Sequence, residues 1–435
     1  MKSQTNLALN WTKNYKIKTK IVYPSRISHI KKIISNKEFI SAGNQRSYGD
    51  VAINKKLILS MRNFNRIIYF NRKSGIIEIQ SGALLIDVLN HITNESWFFP
   101  VTPGSKHVSI GGMIANNIHG KNTHKNQMKH FVTEMKILLA NNKIIECSRS
   151  KNKKVFDLTI GGFGLTGVIL SAKIKLKKIK SVFINQTVEK FYTYREFFSQ
   201  IKKAKKFEYH VTWVDTFDSK RIKGLSYFGL HSNDKNLKKF FFKDGNLGFI
   251  KFFFLKIFTQ NYYGIKVLNF FYRLSKAYFF KKQTDMNSFF YPQDKFLDWN
   301  KLFGKKGFFE CQFLVKEKYF KATMGEISDY FIENKIFSTL IVIKSFNERG
   351  EYLNFCGKGI SISMDIPINN KYLDLVAFLN KLIIKYNAKL NLAKDSIAKG
   401  GIFKDNLRYR KFKRDLVFFN KKNKIKSVFS ERLDI

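Results

Sequence analysis

Residues 161–167 read G-G-F-G-L-T-G, and the reading of this stretch decides the fold. Gly162, Gly164 and Gly167 complete a G-x-G-x-x-G, the spacing that lets backbone amides approach a dinucleotide pyrophosphate where a helix begins. Residues 168–177, V-I-L-S-A-K-I-K-L-K, do not continue as a helix. Leu170, Ala172, Ile174 and Leu176 alternate with Ser171, Lys173, Lys175 and Lys177, a period of two that predicts a half-buried strand. The stretch also lies deep in the chain instead of following a first strand. That context excludes a Rossmann domain, and the glycines need another partner.

Three further segments share this chemistry: A-G-N-Q-R-S-Y-G-D from Ala42 to Asp50, P-G-S-K-H-V-S-I-G-G-M-I-A-N-N-I-H-G-K-N from Pro103 to Asn122, and L-A-K-D-S from Leu392 to Ser396. Gly43, Gly49, Gly104, Gly111 and Gly112 remove Cβ atoms where backbone must approach a ligand, while Ser47, Ser105 and Ser109 offer short donors. Successive backbone N–H groups in such turns form anion-binding concavities without a helix dipole. Several such loops, separated by strands, predict a long phosphate-containing cofactor stretched between two lobes.

With 435 residues and 44% hydrophobic content, the chain is expected to form two domains, not one. The formal charge of +47 invites a nucleic-acid reading. However, Lys far outnumbers Arg, which bidentate phosphate and base recognition favours, and the lysines are spread along the whole chain. No nucleic-acid partner is expected. Cys147, Cys311 and Cys356 are widely spaced, which argues against a disulfide framework or a structural zinc site and fits a reducing compartment. The first residues lack the apolar run of a signal peptide, and no uncharged apolar stretch reaches transmembrane length. A cytoplasmic protein is expected, with a peripheral position on the inner membrane face as a further expectation.

Residues 20–180 read as mixed strands and helices: a short helix from Ile27 to Ile34, strands at E-F-I-S-A-G, L-I-L-S-M, I-I-Y-F-N and I-I-E-I-Q-S-G, and a helix at A-L-L-I-D-V-L-N-H-I. From 237 to 282 the composition changes, with basic residues interrupting aromatic and aliphatic clusters every few positions. That is the composition of a surface meeting a bilayer interface. It is also that of a helical cap packed on its own aromatic stripe with lysines facing water, which a biased composition produces without any membrane.

Taken in order, R-S-Y-G-D, V-S-I-G-G…H-G-K-N, G-G-F-G-L-T-G and A-K-D-S resemble the flavoproteins of the vanillyl-alcohol-oxidase/PCMH type. W-V-D at 213–215, D-W-N at 298–300, C-Q-F at 311–313 and the tail F-S-E-R-L extend the resemblance over nearly the whole chain. It is narrowest toward the members that oxidise a polyprenyl-phosphoryl ribose. The resemblance implies an α+β fold, a two-subdomain PCMH-type FAD-binding domain with a separate α+β substrate (cap) domain. Residues 1–179 would form the first part of the FAD-binding domain, 180–389 the cap, and 390–435 a segment returning to the FAD-binding domain.

Carried over residue by residue, the resemblance assigns FAD contacts to Gly43, Asn44, Gln45, Arg46, Ser47, Tyr48, Gly49 and Asp50. From the second segment it assigns Pro103, Gly104, Ser105, Ser109, Gly111, Gly112, Ala115, Asn116, Ile118, His119, Gly120 and Asn122, and from the third Gly162, Gly164, Gly167 and Val168. Arg46 stands where some relatives carry a histidine bonded to the flavin, so non-covalent FAD is implied. Lys394, His119 and Tyr48 are the implied catalytic residues. Lys394 would stabilise the reduced cofactor, hold the substrate phosphate or assist deprotonation of the hydroxyl. Trp213, Gln312, Lys344, Ser363 and Lys394 are implied to line the substrate pocket. Ser363 replaces a cysteine that the chemistry does not need, Glu310 replaces a glutamine and Asn391 stands near a tyrosine. His124 and His130, among lysines and without an acidic neighbour in sequence, are not read as a metal site.

The implied activity is oxidation of a secondary sugar hydroxyl, the 2′-hydroxyl of a lipid-linked ribose, as the first half of an epimerisation toward arabinose. A short-chain reductase is the implied partner, and 237–282 the implied membrane contact. The alternative within the fold is a soluble aldonolactone or alditol oxidase, and the alternative from another class is a basic nucleic-acid-binding protein that keeps the fold without turnover.

Overall fold

The computed structural model describes residues 2–218, 220–234, 239–245, 248–278, 282–295, 299–403, 406–420 and 423–435, and they are built on three principal sheets. The first takes the order β1-β2-β4-β3, from β1 (Lys2–Leu9), β2 (Lys16–Tyr23), β3 (Ile40–Ala42) and β4 (Leu57–Ser60). β1 and β2 are antiparallel, while β4 runs parallel to both β2 and β3. Helix α1 (Ile27–Asn36) begins where its apolar spacing predicts and buries Ile30, Ile33 and Ile34.

The second sheet is antiparallel, in the order β5-β6-β10-β8-β9. Its strands are β5 (Ile67–Asn71), β6 (Ile76–Gln80), β8 (Val132–Leu138), β9 (Ile144–Ser148) and β10 (Val168–Lys175); β7 (Trp97–Phe98) pairs apart from it with β11 (Lys177–Lys178). Helices α2 (Leu85–Ile92), α3 (Ile110–Ala115) and α4 (Lys153–Thr159) accompany it.

The strand predicted after G-G-F-G-L-T-G is β10, yet it is not half-buried along its length. Val168 to Ala172 are all buried, and alternation begins only at Lys173. β10 is the middle strand and separates two cores. Val168 and Leu170 pack into one, Ile169, Ala172 and Ile174 into the other. A register shift between Ile169 and Ser171 accounts for the change of parity.

The third sheet has eight antiparallel strands drawn from residues 183–390. They are β12 (Phe183–Phe191), β13 (Tyr209–Asp215), β14 (Lys223–His231), β15 (Gln283–Asp285), β16 (Phe308–Val315), β17 (Leu340–Asn347), β18 (Lys358–Pro367) and β19 (Lys389–Leu390), in the order β15-β12-β14-β13-β17-β18-β16-β19. On one face α5 (Tyr194–Lys203), α9 (Glu317–Glu333) and α10 (Tyr372–Lys385) bury Phe197, Phe320, Ile327 and Leu379 in one core with Ile341, Ile343, Ile360 and Ile362. The opposite face looks toward the glycine-rich loops. Between β14 and β16 the chain forms α6 (Phe249–Thr259), α7 (Tyr262–Tyr278) and α8 (Met286–Phe290). Of the aromatic-basic segment, residues 237, 238, 246, 247 and 279–281 lie outside the described residues, as does Asp298 of D-W-N.

The C-terminal segment, with α11 (Leu407–Leu416) and α12 (Val428–Leu433), returns to the first sheet. Phe39 bridges Ile425 in parallel, and Val428 N donates to Ile53 O at 2.8 Å. Arg432 closes this return with a bidentate pair to Asp50 (2.9 and 3.0 Å) and a bond to Asp395 at 2.8 Å. The F-S-E-R-L tail, the R-S-Y-G-D loop and the A-K-D-S loop therefore meet at one partly buried guanidinium.

Candidate active site

A cavity of about 730 Å³ lies between the glycine-rich loops and the third sheet. Its sheet wall follows from antiparallel register, because directly opposed residues project to the same face. Gln312 opposes Ser363, Ser363 opposes Val342, and Val342 opposes Trp213, so one row crosses four strands. The neighbouring row is Glu310, Asp365 and Leu340. All seven line the cavity. Lys344, two residues beyond Val342, joins them on the same side of β17.

The opposite wall is made by the loops. Asn44 donates to His107 O at 2.8 Å, tying the first loop to the second, and Asn116 donates to Ser47 Oγ at 3.3 Å. Ser109 caps α3 through Gly112 N at 3.3 Å. Gly43, Asn44, Gln45, Arg46, Ser47, Tyr48, Pro103, Gly104, Ser105, Ser109, Gly111, Gly112, Ala115, Asn116, Ile118, His119, Gly164 and Gly167 are on this wall.

Six predicted cofactor residues lie off it. Asp50 is engaged by Arg432. Asn122 donates to Pro100 O at 2.8 Å, and Val168 is packed inside β10. Gly49, Gly120 and Gly162 are small for the sake of protein neighbours, since a Cβ would meet Asp395 O at 2.3 Å, Asn122 Oδ1 at 2.7 Å and Leu158 O at 2.1 Å respectively. The same reason holds for wall residues Gly43, where Ser109 Oγ is 1.8 Å away, and Gly167, where Ile137 Cγ2 is 2.7 Å away.

Gly104 and Gly164 differ. Around an added Cβ at Gly104 only Gln293 Oε1 comes within 4 Å, at 3.6 Å, and at Gly164 nothing comes closer than 3.7 Å. Gly104 leaves room that the described residues do not fill, whereas Gly164 takes φ +78°, a backbone conformation that favours glycine, with Ile40 and Ser41 already at van der Waals distance. Gln45 Nε2 and Ser81 Oγ are buried in the same wall without a partner among the described residues. An elongated ligand with polar groups, such as a dinucleotide, fits this cradle.

Charge concentrates where the two walls meet. Lys394 Nζ lies 2.6 Å from Glu310 Oε1, which also accepts from Ser363 Oγ; Glu310 Oε2 is buried without a partner. Burial, and then the charge of Glu310, push Asp365 well above the usual carboxylate range, so it keeps its proton. Burial likewise holds Tyr48 as a neutral phenol, with Lys394 Nζ 5.4 Å from its ring centroid. His119 Nε2 lies 3.3 Å from Gln312 Oε1 while its Nδ1 has no partner. Burial and the nearby Lys344 and Lys394 lower its pKa well below the usual imidazole value, leaving it neutral. Lys344 donates to Gly120 O at 3.1 Å, and burial followed by repulsion from Lys394 and Lys121 brings it down to about 7. Burial brings Lys121 to about 7 as well, beside the Phe289 and Phe290 carbonyls.

Lys121, Ser81 and Asp365 are the residues that motif reading passes over. Lys121 was within reach, as the residue between Gly120 and Asn122 in the matched H-G-K-N. Asp365 sits two residues beyond Ser363, so strand periodicity alone puts it on the same face. Glu310 and Asn391, noticed only as departures, are central: Asn391 donates to Gln312 Oε1 at 2.7 Å. His130 does have an acidic partner, Glu348 at 2.8 Å, supplied by the residue that follows β17 and invisible in local sequence; His124 meets the Lys205 carbonyl at 3.3 Å. Among the described residues no group of three or more His, Cys, Asp or Glu could hold a metal. All three cysteines are free and buried.

Residues 20–148 match the family described as an FAD binding domain. The chain is similar to decaprenylphosphoryl-beta-D-ribose oxidase of Mycolicibacterium smegmatis, 27% identical over 382 residues that cover 82% of this chain and 80% of the relative. It is similar over a shorter span to a putative D-arabinono-1,4-lactone oxidase of Neurospora crassa (22% identical; 39% of this chain, 31% of the relative). It is also similar to L-gulonolactone oxidase of Mus musculus (22% identical; 38% of this chain, 39% of the relative).

Proposed function

The chain being an FAD-dependent oxidoreductase of the PCMH type, we propose that it oxidises a secondary hydroxyl of a lipid-linked pentose, the 2′-hydroxyl of a polyprenyl-phosphoryl ribose. The observation that carries this reading is the extent of the similarity. The match to the ribose oxidase takes in 82% of the chain, whereas those to the lactone oxidases take in 38–39%.

The residues of the cradle, Gly104, Gln45 and Ser81 among them, would hold FAD, which would supply the hydride acceptor for oxidation of the carbinol carbon. The chain's own residues do the rest. Glu310 is the base this reading assigns to the hydroxyl proton, with Lys394 at 2.6 Å holding the carboxylate in place and balancing its charge. Neutral Tyr48 and His119 line the reacting end without competing for charge. Lys121 and Lys344 supply cations for a phosphodiester, and Trp213, with Leu255 and Leu268 of α6 and α7, supplies apolar surface for an isoprenoid chain. A keto-sugar product requires a separate reductase, for which the short-chain class is suited, to complete an epimerisation.

Turnover on a panel tests the reading. Purified protein supplied with an artificial electron acceptor is expected to oxidise a short-chain polyprenyl-phosphoryl ribose and to leave aldonolactones and alditols untouched. Preference for the lactones would establish the soluble-oxidase reading instead. Within the same assay, Lys394→Ala is expected to retain FAD and lose reduction by substrate. Normal reduction by that variant would remove Lys394 from the mechanism.

A further inference from the structure

The helices α6 and α7 have two unlike faces. One face closes the cavity, through Leu255 and Thr259 of α6 and Ile265, Leu268, Asn269 and Tyr272 of α7. It is fixed to the third sheet by Arg273 to Asp215 at 3.2 Å, by Tyr272 Oη to Tyr227 Oη at 2.6 Å, and by the Tyr272 ring against Trp213. The other face is an apolar stripe left in solvent. On α7 it comprises Tyr263, Val267, Phe270, Phe271 and Leu274, recurring every three or four residues, and on α6 Phe254 and Ile257 continue it. Tyr263 is 63%, Phe271 59% and Phe254 57% exposed. The rings that point away from the cavity are left uncovered by the described residues.

The charge of the segment is one-sided in sequence. Between Asp244 and Asp285 the sequence has no acidic residue, while Lys251, Lys256, Lys266, Arg273, Lys276, Lys281 and Lys282 all fall there. An aromatic stripe within a segment rich in cations matches an interface of acyl chains beneath anionic headgroups. A second copy of the chain would bring the same cations face to face. Among the described residues no helix is long and apolar enough to cross a membrane, so the helices would lie on the bilayer.

We propose that the exposed face of α6 and α7 docks on an anionic lipid bilayer, and that these helices form the doorway through which a lipid-linked substrate passes from the bilayer into the cavity. The docking stands on the stripe and its charge. The doorway deepens the proposed function and rests on it.

The test uses the full-length holoprotein and vesicles of phosphatidylcholine alone or mixed with phosphatidylglycerol. Sedimentation with the mixed vesicles is expected at low salt and is expected to weaken on raising the salt. The variant Phe254→Ser/Phe270→Ser/Phe271→Ser is expected to bind at least ~10-fold less. Leu373→Ser/Ile384→Ser, which alters exposed apolar residues of α10 elsewhere on the surface, is expected to bind like the wild type. Retained FAD and an unchanged thermal transition check that the triple variant folds. Equal binding by wild type and triple variant overturns the docking, as does a dimer in light scattering that the triple variant dissolves while vesicles are ignored.

The doorway is read separately. The triple variant is expected to oxidise a water-soluble short-chain polyprenyl-phosphoryl ribose at the wild-type rate, and a long-chain substrate embedded in vesicles at least ~10-fold more slowly. Equal rates on the embedded substrate overturn the doorway. Oxidation of neither substrate by the wild type refutes the lipid-linked reading while leaving the docking result intact.

Discussion

Lys394 and Glu310 show how far single residues could be read. A lysine in a chain of charge +47 is ordinarily surface decoration, and only the A-K-D-S match singled out Lys394. Its partner was legible merely as an odd substitution, because Glu310 approaches from β16 and meets Lys394 only once the sheet is assembled. If Glu310 takes the hydroxyl proton, Glu310→Gln should lower kcat ~100-fold or more while FAD content stays unchanged. Rapid-reaction measurement of cofactor reduction checks this, and a variant within a few-fold of wild type would return the proton to another group. Ser363→Ala, which removes one hydrogen bond to the same carboxylate, should be milder. The lysines give a pH dependence whose sign is fixed. Lys121 and Lys344 carry pKa values lowered to about 7, so both are cationic at pH 6 and largely neutral by pH 8. An anionic phosphodiester should accordingly show a KM that rises as pH increases through 7, and Lys344→Met should raise KM and flatten that rise. A KM independent of pH in the wild type would separate these lysines from the phosphate.

At the scale of elements, the glycine loops were legible as a group and mixed in purpose. Sequence pattern cannot distinguish a glycine that admits a ligand from one that admits a neighbouring strand or loop, because both merely lack Cβ. The structure separates them. Gly49→Ala pushes a Cβ onto the Asp395 backbone at 2.3 Å and should cost about 1–3 kcal/mol in urea unfolding. Gly104→Ala meets only a side-chain atom at 3.6 Å; it should unfold like the wild type and lose FAD affinity instead. Equal unfolding of the two variants would erase the distinction. β10 was legible as a strand from its alternation. Its double burial was not, since the covering cores come from residues far apart in sequence. The Arg432 return was likewise hidden, though all three of its motifs stand out in the sequence. Arg432→Ala leaves Asp50 and Asp395 buried without their cation and should destabilise the protein by about 3–5 kcal/mol. A variant as stable as the wild type would deny that this junction holds the C-terminal segment.

Across the whole molecule, the cavity exists because three sheets are brought together by a chain that ends where it began. The α+β class and the FAD half were legible because their loops are short, ordered motifs. The half built by the third sheet was harder to read: its wall takes a few residues from each of several strands, and only register unites Gln312, Ser363, Val342 and Trp213. If Arg46, stacked 4.0 Å over Trp11, replaces a flavin-bonding histidine as the resemblance implies, acid precipitation of the holoprotein should release the flavin into the supernatant. Flavin left in the pellet would show a covalent link elsewhere. The most direct test of the central claim is anaerobic titration of the holoprotein with a short-chain polyprenyl-phosphoryl ribose, followed by the visible absorbance of the flavin. Stoichiometric bleaching by that substrate, with no change on adding aldonolactones or free ribose, is the predicted result. Bleaching by a lactone and none by the lipid-linked ribose would contradict it.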